Sequence, residues 1–503
     1  MAIESALRPL ALLAACTPLA CSPDPSGEAT GDAGSSSSSS SSSSDAAPTT
    51  GVPEPASTGS TGSTGSTTDP GFDPPVPTCG NGYVEAGEEC DDANAVEDDG
   101  CTSACVVPCG LAREHVELAP SALSEIGGVR VAAAADGGIV VFGNVRKISL
   151  DMEGNQDQDP RQGLVVAYDA AGDKRWERAL GPVDGDLELA GGAVDGAGDV
   201  FIAGSIDGDD GVDIWVARLA AADGATLWTT TADGLLADSD DLAGGLALTA
   251  GGDPIVSGQV YDADQDSDVW LRKLGGADGA TIWTTTWSGQ MDNGFSVDAG
   301  GPVAVAPDDS VFVLAREYVD YTTSDATLLK FAADGGGPLW LASPRAGGGA
   351  HRHLPGALAV DPAGGPLFSI DRTGPAATFW LFKYEADGAP TWDLGLADFQ
   401  TGDADTTLAG LGVSSDGDLL VGGTWENEDP VGEAAWTEIW LHRLDAAGVP
   451  RCRVSARGVG DDLVPPSLAA ADLAGGPGGV ALATGNRSEN DEPSLWTGLF
   501  RPL

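Results

Sequence analysis

Closely spaced oxygen ligands are the most chemically suggestive residues in this chain. Asp262-Ala-Asp264-Gln-Asp266-Ser-Asp268 places carboxylates at alternate positions, and hard cations such as calcium gather about six to eight oxygens from loops of this kind. Asp91, Asp92, Asn94, Asp98 and Asp99 crowd a second oxygen set into one turn-rich stretch. Both are candidate calcium sites. The first lacks the glycine and closing glutamate of an EF-hand loop, and a solvated acidic loop accounts for the same letters without an ion. Acid–base catalysis has no such focus, because paired carboxylates recur along the whole chain. The four histidines are His115, His351, His353 and His442. Only His351-Arg352-His353 forms a pair, inside a glycine-rich loop without a third metal ligand, and it reads as a chance surface pair. No G-x-S-x-G, H-E-x-x-H or phosphate-binding glycine motif is present. Trp287, Trp425 and Trp436 stand outside the repeated positions and are the candidates for a sugar-stacking ring.

These residues sit on a repeat. Between Asp136 and Arg453 the chain six times writes a strand closed by Asp-Gly or a near equivalent, then a second strand ending in Gly. An acidic loop, a third strand often centred on Trp, a turn and a fourth strand follow. The third copy, for example, gives Ile255-Val256-Ser257-Gly258, Val269-Trp270-Leu271, Asp278-Gly279 and Trp283. A seventh copy ends at Leu503 before any fourth strand. Repeats of this size cannot bury a core alone and must pack on their neighbours. Period-two alternation with Gly and Asp-Gly turns predicts antiparallel hairpins. Four strands in each of seven copies predict an all-β fold, a seven-bladed β-propeller of four-stranded antiparallel blades over residues 110–503. A strand between Ala112 and Leu118 is expected to supply the missing last strand and close the ring.

Strand order then sorts the loops. The tight turns, first to second strand and third to fourth, fall on one face of the ring. The longer connections fall on the other, among them 151–159, 207–213, 262–268 and 426–429, with Asp184, Asp186, Asp238, Asp240, Asp241, Asp403, Asp405, Asp461 and Asp462. That acidic face is where a partner or cation is expected.

The repeats resemble the bacterial β-propeller repeat family (SBBP-like), whose units carry an A-V-D-x-x-G-[ND]-V-[YF]-V-x-G stretch and a later G-x-x-x-W ending. The resemblance spans about residues 112–503. It implies the fold and says little about activity, since propellers host enzymes, lectins and scaffolds alike. The G-x-x-x-W ending is also similar to the PQQ-type propeller repeat, in which the Trp docks between blades, so the tryptophans are expected to be mainly structural.

Upstream, Cys79, Cys90, Cys101 and Cys105 lie within one short stretch. In an exported chain they read as a disulfide framework, with three pairings left open. Spacings without C-x-x-C knuckles disfavour zinc. The segment resembles the Myxococcus-type cysteine-rich repeat (CGNG-x-x-E-x-GE-x-CDDGN), departing from it at Ala93, and the module is read as residues 79–109. By elimination, Cys109 and Cys452 are expected to pair. Residues 22–78 hold ten consecutive serines, Ser35 to Ser44, and few large apolar side chains, and so read as a disordered linker.

The first 21 residues carry Arg8, a short apolar run and Leu13-Ala14-Ala15-Cys16, which resembles a bacterial lipobox. The resemblance implies export and lipidation of Cys16, with Cys21 or plain secretion as alternatives, and outer-membrane anchoring. The run is far shorter than the roughly 20 residues that span a bilayer. With 77 acidic residues against 24 Lys and Arg, the net charge is -53, which repels nucleic acid and anionic lipid. Contact with the membrane is expected only through the lipid, and the protein is expected to be a monomer. The expected function is non-enzymatic: a cell-surface lipoprotein binding or scaffolding through its acidic loop face, the partner being a surface protein, glycan or cation. A secreted polysaccharide hydrolase or lyase is the alternative.

Overall fold

The computed structural model describes residues 109–118, 124–150, 156–208, 211–232, 234, 236, 239–261, 266–289, 297–320, 323–344, 352–373, 378–399, 405–427, 436–456, 467–489 and 492–502. The chain divides into Met1–Asp73 and Pro74–Leu503, and every described residue belongs to the second unit. The lipidation candidate Cys16, the cysteines Cys79, Cys90, Cys101 and Cys105, and the oxygen set from Asp91 to Asp99 lie outside the described residues.

Strand β1 (Leu111–Leu118) precedes the repeats. The first sheet runs β2 (Glu125–Ala133), β3 (Ile139–Arg146), β6 (Gln162–Tyr168) and β7 (Lys174–Leu180). Between β3 and β6 the expected open loop contains a small ribbon, β4 (Ile148–Leu150) with β5 (Gln156–Gln158). The next sheet is β8 (Leu187–Val194), β9 (Val200–Asp207), β10 (Val212–Leu219) and β11 (Thr226–Ala232). Then come β12 (Leu242–Leu248), β13 (Pro254–Tyr261), β14 (Ser267–Leu274) and β15 (Thr281–Trp287). An eight-stranded sheet follows. Its first half is β16 (Asp298–Val305), β17 (Val311–Tyr318), β18 (Ser324–Phe331) and the short β19 (Trp340–Ala342). Its second half is β20 (Arg352–Val360), β21 (Pro366–Thr373), β22 (Thr378–Tyr384) and β23 (Pro390–Gly395), joined to the first by one parallel pair, Ser324 with Arg352. Next are β24 (Asp405–Val413), β25 (Leu419–Asn427), β26 (Trp436–Leu444) and β27 (Pro450–Ala456). The last sheet is β28 (Ser467–Gly475), β29 (Ala481–Glu489), β30 (Glu492–Phe500) and, as its fourth strand, β1.

The first strands of these sheets touch in cyclic order: β2 meets β8, β8 meets β12, then β16, β20, β24 and β28 in turn, and β28 meets β2. A closed ring of four-stranded antiparallel sheets is a β-propeller. Closure is made by β1, which pairs antiparallel with β30 from Leu111 opposite Phe500 to Leu118 opposite Ser494.

The amino-acid pattern explains the layering. Second and third strands are sandwiched between neighbouring sheets, so Val200-Phe201-Ile202-Ala203 is buried on both faces and reads as a continuous apolar run. Fourth strands lie at the rim, where alternation returns, as in Thr226–Ala232. First strands share a β-bulge at one place, between Leu189 and Gly191, Ala243 and Gly245, or Leu408 and Gly410, for instance. Small residues there let inner strands meet backbone to backbone: a Cβ on Gly244 would collide with the Gly300 carbonyl. The cores lie between sheets, with Phe142 and Val165 of the first packing on Leu187, Ile202 and Trp215 of the second.

A recurring lock fastens each rim strand to the next sheet. The indoles of Trp176, Trp228, Trp283, Trp340 and Trp392 donate to the carbonyls of Ala221, Gly276, Ala333, Ala386 and Ala446, each in the following sheet's last turn. Their rings pack on the glycines of those turns, Gly224, Gly279, Gly335, Gly388 and Gly448. At the sixth interface Cys452 holds the tryptophan position. It is bonded to Cys109, which holds the turn position two residues before β1 with φ 58°. At the closing interface, Arg113 takes the place of Trp and donates to Ala170 O at 3.1 Å, beside Gly172.

Candidate functional site

The long connections converge on one face, as the strand order requires, but part of their acidity is spent on the fold. Asp186, Asp241 and Asp298 stand at equivalent places, immediately before or at the start of an inner strand, and turn inward onto backbone amides. Asp186 accepts from Arg161 N at 2.7 Å and pairs with the Arg146 guanidinium. Asp241, fully buried, accepts from Tyr261 N at 3.0 Å and from Gly234 N, and Asp298 accepts from Gly289 N at 2.5 Å. Such charge-assisted bonds make these carboxylates staples for the loops. Asp262 and Asp264 lie outside the described residues, whereas Asp266 and Asp268 are described and each already has a partner in the protein. Among the described residues no three His, Cys, Asp or Glu side chains gather as a metal site.

The opposite, tight-turn face opens on the centre of the ring. A cavity of about 400 Å³ there is lined by small or apolar residues such as Val305, Ala306, Val360, Pro362 and Val413, with Asp361 as its one carboxylate. Asp361 is paired with buried Lys383 at 2.9 Å. Along the inner strands, Arg130 Nε lies 3.7 Å from Asp472 Oδ2 across the closure, and Val131 N donates to the same carboxylate at 3.0 Å. Burial raises the Asp472 pKa against the pull of Arg130.

Between the two halves of the eight-stranded sheet, at their long-loop end, basic and aromatic groups collect. Tyr318, Ser324 and Arg352 form one row across β17, β18 and β20. Arg316, two residues before Tyr318, stacks its guanidinium 4.7 Å above the Tyr318 ring. His353 lies opposite Arg372 and contacts Asp325 at 3.3 Å, with Trp380 edge-on to its ring. This corrects the reading of His353 as half of a loop-borne surface pair. It is 7% exposed and sits within a strand; His351 lies outside the described residues. Nearby on β21, Asp371 is half-buried, and desolvation with no charged neighbour among the described residues to offset it pushes its carboxyl up to about 7. This cluster is not legible in the sequence because its members are contributed by two repeats. A signal was present: Arg146, Arg316, Arg372 and Arg487 recur at the ends of second strands in a chain poor in cations.

Trp425 also needs correction. It is 8% exposed and stacked with Trp440 at 6.1 Å, so it cannot offer a ring to a ligand. Phe399 and His442 complete that box, with His442 fully buried and its ring 5.1 Å from Trp440. Trp287 is half-buried against the core between the third and fourth repeats, and the Trp436 side chain lies outside the described residues.

Residues 76–106 match the family described as "Domain of unknown function (DUF4215)", covering the cysteine-rich segment. No curated protein matches the chain. Solved structures similar to it include a protein of unknown function from Dyadobacter fermentans, 9% identical, covering 78% of this chain and 99% of that one, with a TM-score of 0.41. Others are the Dos1 propeller, 7% identical, covering 77% and 95% with a TM-score of 0.41, and the quinohemoprotein alcohol dehydrogenase of Comamonas testosteroni, 12% identical, covering 74% and 67% with a TM-score of 0.38. These likenesses are loose, and the propeller assignment rests on the ring of strand contacts.

Proposed function

We propose that this chain is a non-enzymatic, exported lipoprotein anchored through Cys16, whose seven-bladed propeller binds or scaffolds through its long-loop face. Seven blades are supported by counting the two halves of the eight-stranded sheet separately, since only one parallel pair joins them. The ligand class is a surface protein, glycan or cation such as calcium. The observation that carries the reading is the division of labour between the faces. Long connections gather on one side, while the cavity on the other is lined by small side chains and its one carboxylate is neutralised by Lys383. The cavity thus lacks the paired, differently tuned carboxylates that glycoside cleavage uses. The test is a glycan array and calcium titration of the full-length protein beside a depolymerisation screen on polysaccharides. Binding without turnover is expected, and sustained release of reducing ends would overturn the reading.

A further inference from the structure

We infer that the mouth between β17, β18 and β20 is a binding site for a carboxylated sugar, with Arg316 as the group that takes the carboxylate. This rests on the reading of the long-loop face as the binding face and names a ligand class for it.

Arg316 is the anomaly. Carboxylates outnumber cations more than threefold, 77 to 24. Arg146, Arg161, Arg175, Arg218 and Arg443 each have one within 4 Å, and Arg113, Arg178 and Arg272, which have no ion pair among the described residues, donate to a carbonyl or hydroxyl oxygen instead. Among the described residues Arg316 has no ion pair, and its buried Nε has no acceptor. Its charged neighbour is a second cation, Arg352, and burial together with that neighbour lowers its pKa. A half-buried guanidinium without an acceptor is costly, and a like charge beside it adds to the cost. The ring of Tyr318 covers one guanidinium face, leaving its planar edge as the route to an acceptor. That edge is a fork matched to a planar carboxylate.

The surroundings select the carrier of that carboxylate. Asp320, exposed two residues beyond Tyr318, and the acidic connections of this face repel anions of every kind, so a carboxylated ligand must offset that repulsion with donors these acids can accept from, which Asp and Glu side chains lack. A uronic acid brings one carboxylate for the arginine and several hydroxyl donors for the acids around it. Half-buried Tyr318 supplies the flat apolar surface that sugar rings use. Arg352 is exposed within the same row and already has a partner in the protein, but its guanidinium carries five N–H donors, so others remain for the ligand.

The test is calorimetric titration of the full-length protein with trigalacturonate, with the neutral galactose trimer and with a tri-glutamate peptide at moderate salt. Trigalacturonate is expected to bind, while the neutral trimer and the peptide bind at least about tenfold more weakly. Arg316→Gln should abolish the preference for the acid over the neutral sugar. Arg352→Gln, at an exposed position, should weaken it several-fold while leaving the thermal midpoint unchanged, so a folding defect in the first variant does not remove the test. Arg175→Gln, on the tight-turn face, should bind as the parent does. Equal affinity for acidic and neutral trimers, tighter binding of the peptide, or an unchanged Arg316→Gln would each overturn the assignment. If trigalacturonate fails while the array finds another ligand, only this site falls; if both are silent, the wider reading falls with it.

Discussion

Single buried groups report how far this fold tolerates polarity between its blades. His442 is fully buried beside Phe399, Trp425 and Trp440, and neither of its ring nitrogens has a partner among the described residues. Burial, helped by the charge of Arg453, lowers its pKa to about 4. The unfolded chain therefore takes a proton first, so stability is whole above the ordinary value of 6.5 and is lost as pH falls from there toward 4. His442→Phe should flatten that acid limb, gaining on the order of 2 kcal/mol near pH 4.5 in urea titrations; an unchanged limb would place the acid sensitivity elsewhere. Asp371 has the opposite sign. Its folded form holds a proton up to about 7, so stability is present at low pH and lost as pH rises through about 4 to 7. Asp371→Asn should raise the thermal midpoint at about pH 8, by at least about 1 kcal/mol of stability, and change little near pH 4. Neither environment was legible in the sequence. Trp425 and His353 lie beside charged residues in the chain, and only packing against another repeat buries them.

At the scale of the element, the fourth strand and its turn were written plainly. Asp-Gly followed by a Trp four residues on recurs because the glycine takes a positive φ and the Trp docks on the next such glycine. Gly279, at φ 69°, would place a Cβ 2.8 Å from the Trp228 ring. Gly279→Ala should therefore cost about 1–3 kcal/mol through backbone and contact strain together. Trp228→Ala, which removes the ring and its bond to Gly276 O, should cost about 3 kcal/mol. Measured together in a double-mutant cycle, the two should be partly non-additive, because once the ring is gone the added methyl has nothing to strike and only the backbone strain at φ 69° remains. Simple additivity would mean that the ring and the turn do not form a unit. The bulges of the first strands were less legible. A Gly-Gly pair states that something comes close, but that it is the neighbouring inner strand follows only from the ring.

For the whole molecule, closure is the organising event, and it is made twice at neighbouring places. β1 adds the missing strand to the last sheet, and Arg501 N donates to Gly110 O at 3.0 Å just beyond it. The Cys109–Cys452 bond then ties the same end to β27 of the preceding sheet. Read as equivalent positions in adjacent blades, the two cysteines would stand too far apart. They can bond, at a Cα separation of 6.6 Å, because one occupies a turn position and the other the strand position that docks on it. The closing strand, the repeat and the acidic loops could thus be anticipated, whereas the use of those acids as staples and the gathering of arginines between β17 and β20 could not, since both depend on which loops meet. A link spanning 343 residues of sequence restricts the unfolded chain far more than the native ring, which β1 already closes. Reduction, or the paired change Cys109→Ala with Cys452→Ala, should therefore lower stability by about 2–4 kcal/mol. It should also steepen the urea dependence, as the freed chain expands and exposes more surface. Equal midpoints and slopes with and without reductant would show that β1 pairing alone holds the ring shut.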